Sequence, residues 1–188
     1  MRRSRDEVVD RCRTLRVRAL DGRARLAGGG FDPDAVEAAW CAEALGTLLW
    51  ALALVDLPDY DTSFGRAVLG ARPEEGELRH DSELERAHET ARLWHWRART
   101  AELEADGALE PTAPYASVAQ LVAATAMRGH EGGLLPEPYR GDLPAFGTTY
   151  ALLGAEQLGN ALSIACERHR ALSWLTSGDA WAEVVLDT

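Results

Sequence analysis

The 188-residue chain contains no lysine: all 20 of its basic residues are arginine. That absence excludes Schiff-base and pyridoxal-phosphate chemistry, a lysine general base and the phosphate-loop lysine together. Cysteine is scarce as well. Cys12, Cys41 and Cys166 lie far apart and form no CxxC pair, so a disulfide framework has no support. Each sits among apolar residues in helix-like sequence, the setting of a reduced, buried thiol in a cytoplasmic protein. A nucleophilic thiol would need a neighbouring His or Arg, and Cys166 precedes Glu167, Arg168 and His169, but inert packing is the commoner role.

Long hydrophobic runs are missing too. The most apolar segment, 38–55, is interrupted by Glu43 and falls short of the roughly 20 residues that cross a bilayer. The basic start is not followed by the apolar stretch of a secretory signal. A cytoplasmic location without a membrane partner is therefore expected. Nucleophile-elbow, dinucleotide-binding and Ser-His-Asp patterns are also absent. Gly28, Gly29 and Gly30 do not form a phosphate loop, since no strand precedes them and no GK[ST] follows.

What is present is ordinary globular composition, 46% hydrophobic and 27% charged, enough for one core without staples. The net charge of −10 is unevenly spread. Residues 1–25 hold nine arginines against four acidic residues, +5, which leaves −15 on the rest. A basic arm suits nucleic acid, but an acidic body repels phosphate backbones, so no nucleic-acid partner is expected. A helix docked on its own acidic body is the simpler reading.

Apolar spacing predicts five helices and an all-α, single-domain bundle over 1–188. The first, 4–26, carries Val8, Cys12, Leu15 and Ala19 under the arginines. The second opens with Asp32 as N-cap and Pro33 at its first position and runs to about Val55. It sets Glu43 in one stripe with Trp40, Thr47, Trp50 and Leu54. Residues 58–81 read as acidic turns, with a short helical piece at 64–69. The third helix, 82–106, starts at a Ser82/Glu85 capping box and buries Leu84, Ala87, Ala91, Trp94 and Ala98. Beside that face run His88, Arg92, His95, Arg99 and Glu102. The fourth spans 115–127. Five glycines and three prolines make 129–149 an irregular loop, either a lid or a long connection. The fifth, 155–176, places His169 in its apolar face and Arg168 at the margin, with Glu167 and Trp174 pointing away.

Three blocks resemble an uncharacterised bacterial family, the domain of unknown function 4272. They are Trp40-Cys-Ala-Glu43-Ala-Leu with 48–55, then Leu93-Trp-His95-Trp96 with Arg99, then 163–175 with the terminal Asp187-Thr188. The resemblance covers about 36–188, leaving 1–26 as an arginine-rich first helix. It implies a helical fold and supplies no chemistry, but it points to Glu43, His95, Arg99, Glu167 and Arg168.

Two functional readings follow. One is a non-catalytic protein-binding or interaction domain that contacts another protein, or a second copy of itself. The other is a small-molecule enzyme or ligand-binding protein with an acid–base pocket between helices two, three and five. In it Glu43, His95 and Glu167 are the catalytic candidates, and Arg99, Arg168, His169, Trp50, Trp96 and Trp174 the ligand-binding ones. The same polar set can equally form a buried ion network that fixes helix register. No cofactor is expected. Glu85 and His88 have the Glu-x-x-His spacing of a metal-binding helix, but a carboxylate-bridged pair needs that motif twice. A mononuclear site from His88, His95 and His169 is the weaker metal alternative.

Overall fold

The computed structural model describes residues 2–29, 32–111 and 113–186. It is an all-α bundle, as the periodicity predicts. Five helices carry it: α1 (Arg5–Ala27), α2 (Pro33–Ala51), α3 (Asp81–Ala105), α4 (Val118–Glu131) and α5 (Ala155–Ser177). Among the described residues the only sheet is a hairpin of β1 (Pro144–Ala145) and β2 (Thr148–Thr149), with Ala145 opposite Thr148. No helix among them is long and apolar enough to cross a membrane. Gly30, Phe31 and the terminal Asp187-Thr188 lie outside the described residues.

The packing runs α1 on α2, α2 on α5 and α5 on α3. Two apolar cores result. One gathers Val8, Leu15, Leu45, Leu48 and Leu175 where α1, α2 and the end of α5 meet. The other gathers Trp94 and Ile164 of α3 and α5 with Tyr60, Leu143 and Tyr150 from the connecting loops. About a third of the second core's buried residues therefore come from outside the α-helices.

Local chemistry explains the helix ends. The Ser4 hydroxyl accepts the Glu7 amide while the Glu7 carboxylate accepts the Ser4 amide (2.8 Å), a reciprocal cap for α1. Asp32 caps α2 by accepting the Ala35 amide at 3.2 Å. Gly22 lets α1 and α2 cross closely, since a Cβ there would lie 2.5 Å from the Ala39 backbone nitrogen.

Several boundaries differ from the sequence expectation. α2 stops at Ala51, not near Val55, because the chain reverses at Ala53 (φ 58°). The carbonyls of Ala51 and Leu52 accept the amides of Arg79 (2.9 Å) and Glu77 (3.0 Å) instead. The cap of α3 lies two residues before the expected pair: His80 Nδ1 accepts the Ser82 amide and Glu83 accepts the His80 amide. α4 begins three residues late, capped by Ser117, and runs through Glu131. The helical piece expected at 64–69 is a 3-10 turn, Arg66–Gly70.

The segment 129–149 is more ordered than its glycines suggest. It holds the β-hairpin and a second reversal pairing Tyr139 with Asp142. Both reversals are X-Gly pairs with positive φ, Arg140-Gly141 (53° and 78°) and Phe146-Gly147 (51° and 75°). That is the backbone a two-residue hairpin turn demands.

The arginines of α1 are spent largely on the chain itself. Arg5 donates to the carbonyls of Gly76 (2.8 Å) and Glu74 (2.6 Å), Arg16 to that of Ala71, and Arg18 pairs with Glu37 (2.8 Å). Arg11 lies over the rings of Trp174 and Trp181. The basic helix docks on its own acidic body.

Candidate functional site

Of the polar residues the sequence singled out, Glu43, His95, Glu167, Arg168 and His169 are buried and Arg99 is exposed. They do not form one network. Arg168 is wholly buried rather than marginal. Its Nε and Nη2 bind Glu43 Oε2 at 3.3 and 3.2 Å, and its remaining hydrogens go to the carbonyls of Pro58 (2.7 Å), Asp59 (3.2 Å) and Thr62 (2.7 Å). Glu43 Oε1 accepts the Phe64 amide at 2.7 Å. The guanidinium also lies over the rings of Tyr60 (4.9 Å) and Phe64 (5.1 Å). Burial pushes the Glu43 carboxyl above its usual range, opposed by Arg168 and the Phe64 amide. The pair is a staple that holds loop 58–64 on the α2–α5 seam. A shallow pocket of about 220 Å³ beside Arg23 and Phe64 reaches Glu43, but no histidine lines it.

The histidines form a separate group. His95 and His169 face each other with Nδ1 atoms 3.1 Å apart, and His88 Nε2 lies 2.9 Å from the Ser173 hydroxyl. Burial, reinforced by Arg99, lowers His95 to about 4, and burial with His95 lowers His169 to about 3. At neutral pH both rings are uncharged, one Nδ1 donating to the other. Burial thus holds His95 below the near-neutral titration that the acid–base reading expects.

Glu167 and Trp174, expected to point away, are both buried. Glu167 pairs with its helix neighbour Arg170 at 3.0 Å, and Arg99 pairs outward with Glu102. Trp174 packs edge-on against Trp181, Trp50 lies under Arg79, and Trp96 is half-buried. The pocket expected between helices two, three and five is thus a set of unconnected pairs. Among the described residues no group of three His, Cys, Asp or Glu side chains could hold a metal. Glu85 is exposed. Burial raises the thiols of Cys12 to about 12 and Cys41 to about 11, and raises Cys166 too, so each stays protonated at neutral pH.

A second staple was missed by sequence reasoning. Arg97, almost wholly buried, grips Asp142 with Nε and Nη2 at 2.6 and 2.9 Å. Asp142 also accepts the amides of Leu143 (2.7 Å) and Ala151 (2.9 Å). Burial pushes the Asp142 carboxyl up, but Arg97 and these amides outweigh it and hold it below its usual range. The pair pins loop 139–151 to α3. Arg97 comes one turn after Trp94, on the core face, and that position was a readable signal. Asp142, in a glycine-rich loop, gave none.

Between the two stapled loops lies a cleft of about 470 Å³. Tyr60 and Trp94 stack in it, with centroids 5.0 Å apart and rings 5° from parallel, and Tyr150 tilts against Trp94 at 5.9 Å. Pro58, Pro136 and Pro144 contribute apolar walls, and Asp59, Asp61 and Thr90 the polar ones. Asp61 ties the two loops together by accepting the Phe146 amide at 2.8 Å. The Tyr60 hydroxyl is buried and has no hydrogen-bond partner among the described residues. None of the polar residues proposed from sequence as site candidates lines this cleft; of the tryptophans read there as core or aromatic pocket, Trp94 does.

Comparison with known families, curated proteins and solved structures gives no match to the chain. The resemblance noted from sequence adds no chemistry, and function rests on geometry.

Proposed function

We propose that the protein is a non-catalytic binding domain whose ligand seats in the cleft between loops 57–61 and 136–147. The observation that carries this reading is the use made of the two buried ion pairs. Taking a charge pair out of water costs desolvation that the mutual attraction does not reliably repay, so such pairs are poor devices for stability alone. Here both arginine–carboxylate pairs bind loop backbone on the two sides of one cavity, through the carbonyls of Pro58, Asp59 and Thr62 and the amides of Phe64, Leu143 and Ala151. Loops held rigid before a ligand arrives lower the entropy cost of binding it. The cavity's size falls among small-molecule sites, and its aromatic floor with a few polar groups is their usual lining.

Catalysis has less support. Glu43 and the paired histidines are committed to internal partners, and the titrations that acid–base work needs lie far from neutrality for His95 and His169. Recognition through the basic first helix also has less support, since its arginines bond to the molecule's own surface.

Crystallographic fragment screening tests the reading. Fragments are expected to collect in the cleft against Trp94, and to be lost from it in Trp94→Ala. Fragments that bind elsewhere and leave the cleft empty would overturn it.

A further inference from the structure

Resting on the cleft reading, we propose that the ligand is a small organic amine, an apolar body carrying an ammonium group. Three features of the lining select it. First, Asp59 and Asp61 are the only charged residues among those that line the cleft, so its lining has a charge of −2. The guanidinium of Arg168, which lies over the Tyr60 ring, is matched by Glu43 and does not cancel them. Second, the Asp59 carboxylate has no hydrogen bond or ion pair among the described residues, although Asp59's own carbonyl is held by Arg168. Asp59 is thus an exposed residue of the cleft lining whose backbone Arg168 fixes. Third, apart from Thr90 the uncharged lining is apolar or aromatic: Leu57, Pro136 and Pro144 line the cleft with the stacked rings of Tyr60 and Trp94.

These features reject the alternatives on physical grounds. A carboxylate or phosphate ligand would meet two like charges with no cation to offset them, which costs binding. A neutral apolar ligand would fill the wall but gain nothing from the two carboxylates. A strongly polar cation without an apolar body would forgo the aromatic floor. An amphiphilic ammonium satisfies both halves of the site.

The test uses one molecular body in three charge states: phenethylammonium, 2-phenylethanol and phenylacetate. Each is titrated at neutral pH into the full chain while the Trp94 indole and Gly147 amide resonances are followed. Phenethylammonium is expected to shift both resonances saturably. It should bind about ten-fold more tightly than 2-phenylethanol, the factor that about 1.4 kcal/mol of charge attraction supplies. Phenylacetate should not saturate. Asp59→Asn, which leaves the Arg168 contact to the residue 59 carbonyl intact, should remove most of the advantage of the ammonium. Equal binding of the alcohol and the ammonium at these resonances overturns the amine inference and leaves the cleft reading standing. Saturable binding that shifts other resonances and spares Trp94 and Gly147 overturns both. An ammonium advantage undiminished in Asp59→Asn also overturns the inference, because the carboxylate would not be its source.

Discussion

At the scale of single residues, the buried arginines have the largest consequences. Arg168→Met leaves Glu43 buried without its cation and the carbonyls of Pro58 and Thr62 without their donor, while that of Asp59 keeps the Thr62 amide. The expected loss is about 3–5 kcal/mol in urea unfolding. Glu43→Gln combined with Arg168→Met should recover part of it, because no unpaired charge remains. Tyr60 offers the opposite sign. Its hydroxyl is buried without a partner among the described residues, so Tyr60→Phe is expected to raise stability by about 1 kcal/mol, measured as a higher Tm. A lower Tm would mean that the hydroxyl is satisfied.

The histidine pair gives a pH dependence whose direction follows from the lowered values. Unfolded, His95 and His169 titrate near 6.5; folded, near 4 and 3. Below about pH 6.5 the unfolded chain binds the extra protons, so stability is complete above that pH and falls as acid is added, down to the folded values. The slope is about 1.4 kcal/mol per pH unit for each histidine. Glu43 and Glu167, raised by burial, act oppositely and soften the loss at the acid end. His95→Gln should flatten the slope between pH 6.5 and 4 in chemical denaturation. An unchanged slope would remove His95 from the account.

At the scale of elements, the helices were legible and the loops that make the site were not. Asp32-Pro33, the apolar stripe of α1 and the heavy burial of α2 are written in local residue types, because capping and periodicity are local physics. The end of α2 was not, since the distant amides of Glu77 and Arg79 take the carbonyls of Leu52 and Ala51. Glu43 was recognisable from its place in an apolar stripe, whereas Arg168 read as marginal and is wholly buried. Their partners, the backbone groups of 58–64, were not recognisable, because a backbone acceptor leaves no mark in sequence. Gly46 shows how tightly that loop is fitted: a Cβ there would lie 2.3 Å from the Phe64 ring. Gly46→Ala should therefore displace Phe64, break its amide bond to Glu43 and cost about 1–3 kcal/mol. Its effect should be strongly non-additive with Arg168→Met, since both act on one loop.

At the scale of the whole molecule, α5 divides the work. On one side it seals the core of α1 and α2, where the arginines of the first helix fasten the surface. On the other it faces α3 and the loop-built core, where three rings, Tyr60, Trp94 and Tyr150, lie between the two ion pairs. Arg168 touches the first ring and Arg97 lies over the last, 5.4 Å from its centroid. The cleft opens over this row, so its shape depends on both loops staying where the charges hold them.

That dependence can be read directly by hydrogen exchange at four loop amides, those of Phe64, Leu143, Phe146 and Ala151, each donated to a carboxylate. In the native chain all four should be protected well beyond ordinary loop amides. In Arg168→Met, Phe64 should lose protection while the amides of α1 keep theirs. Exchange of the four at the rate of an open loop in the native protein would contradict the stapled cleft, and with it the binding site proposed for this fold.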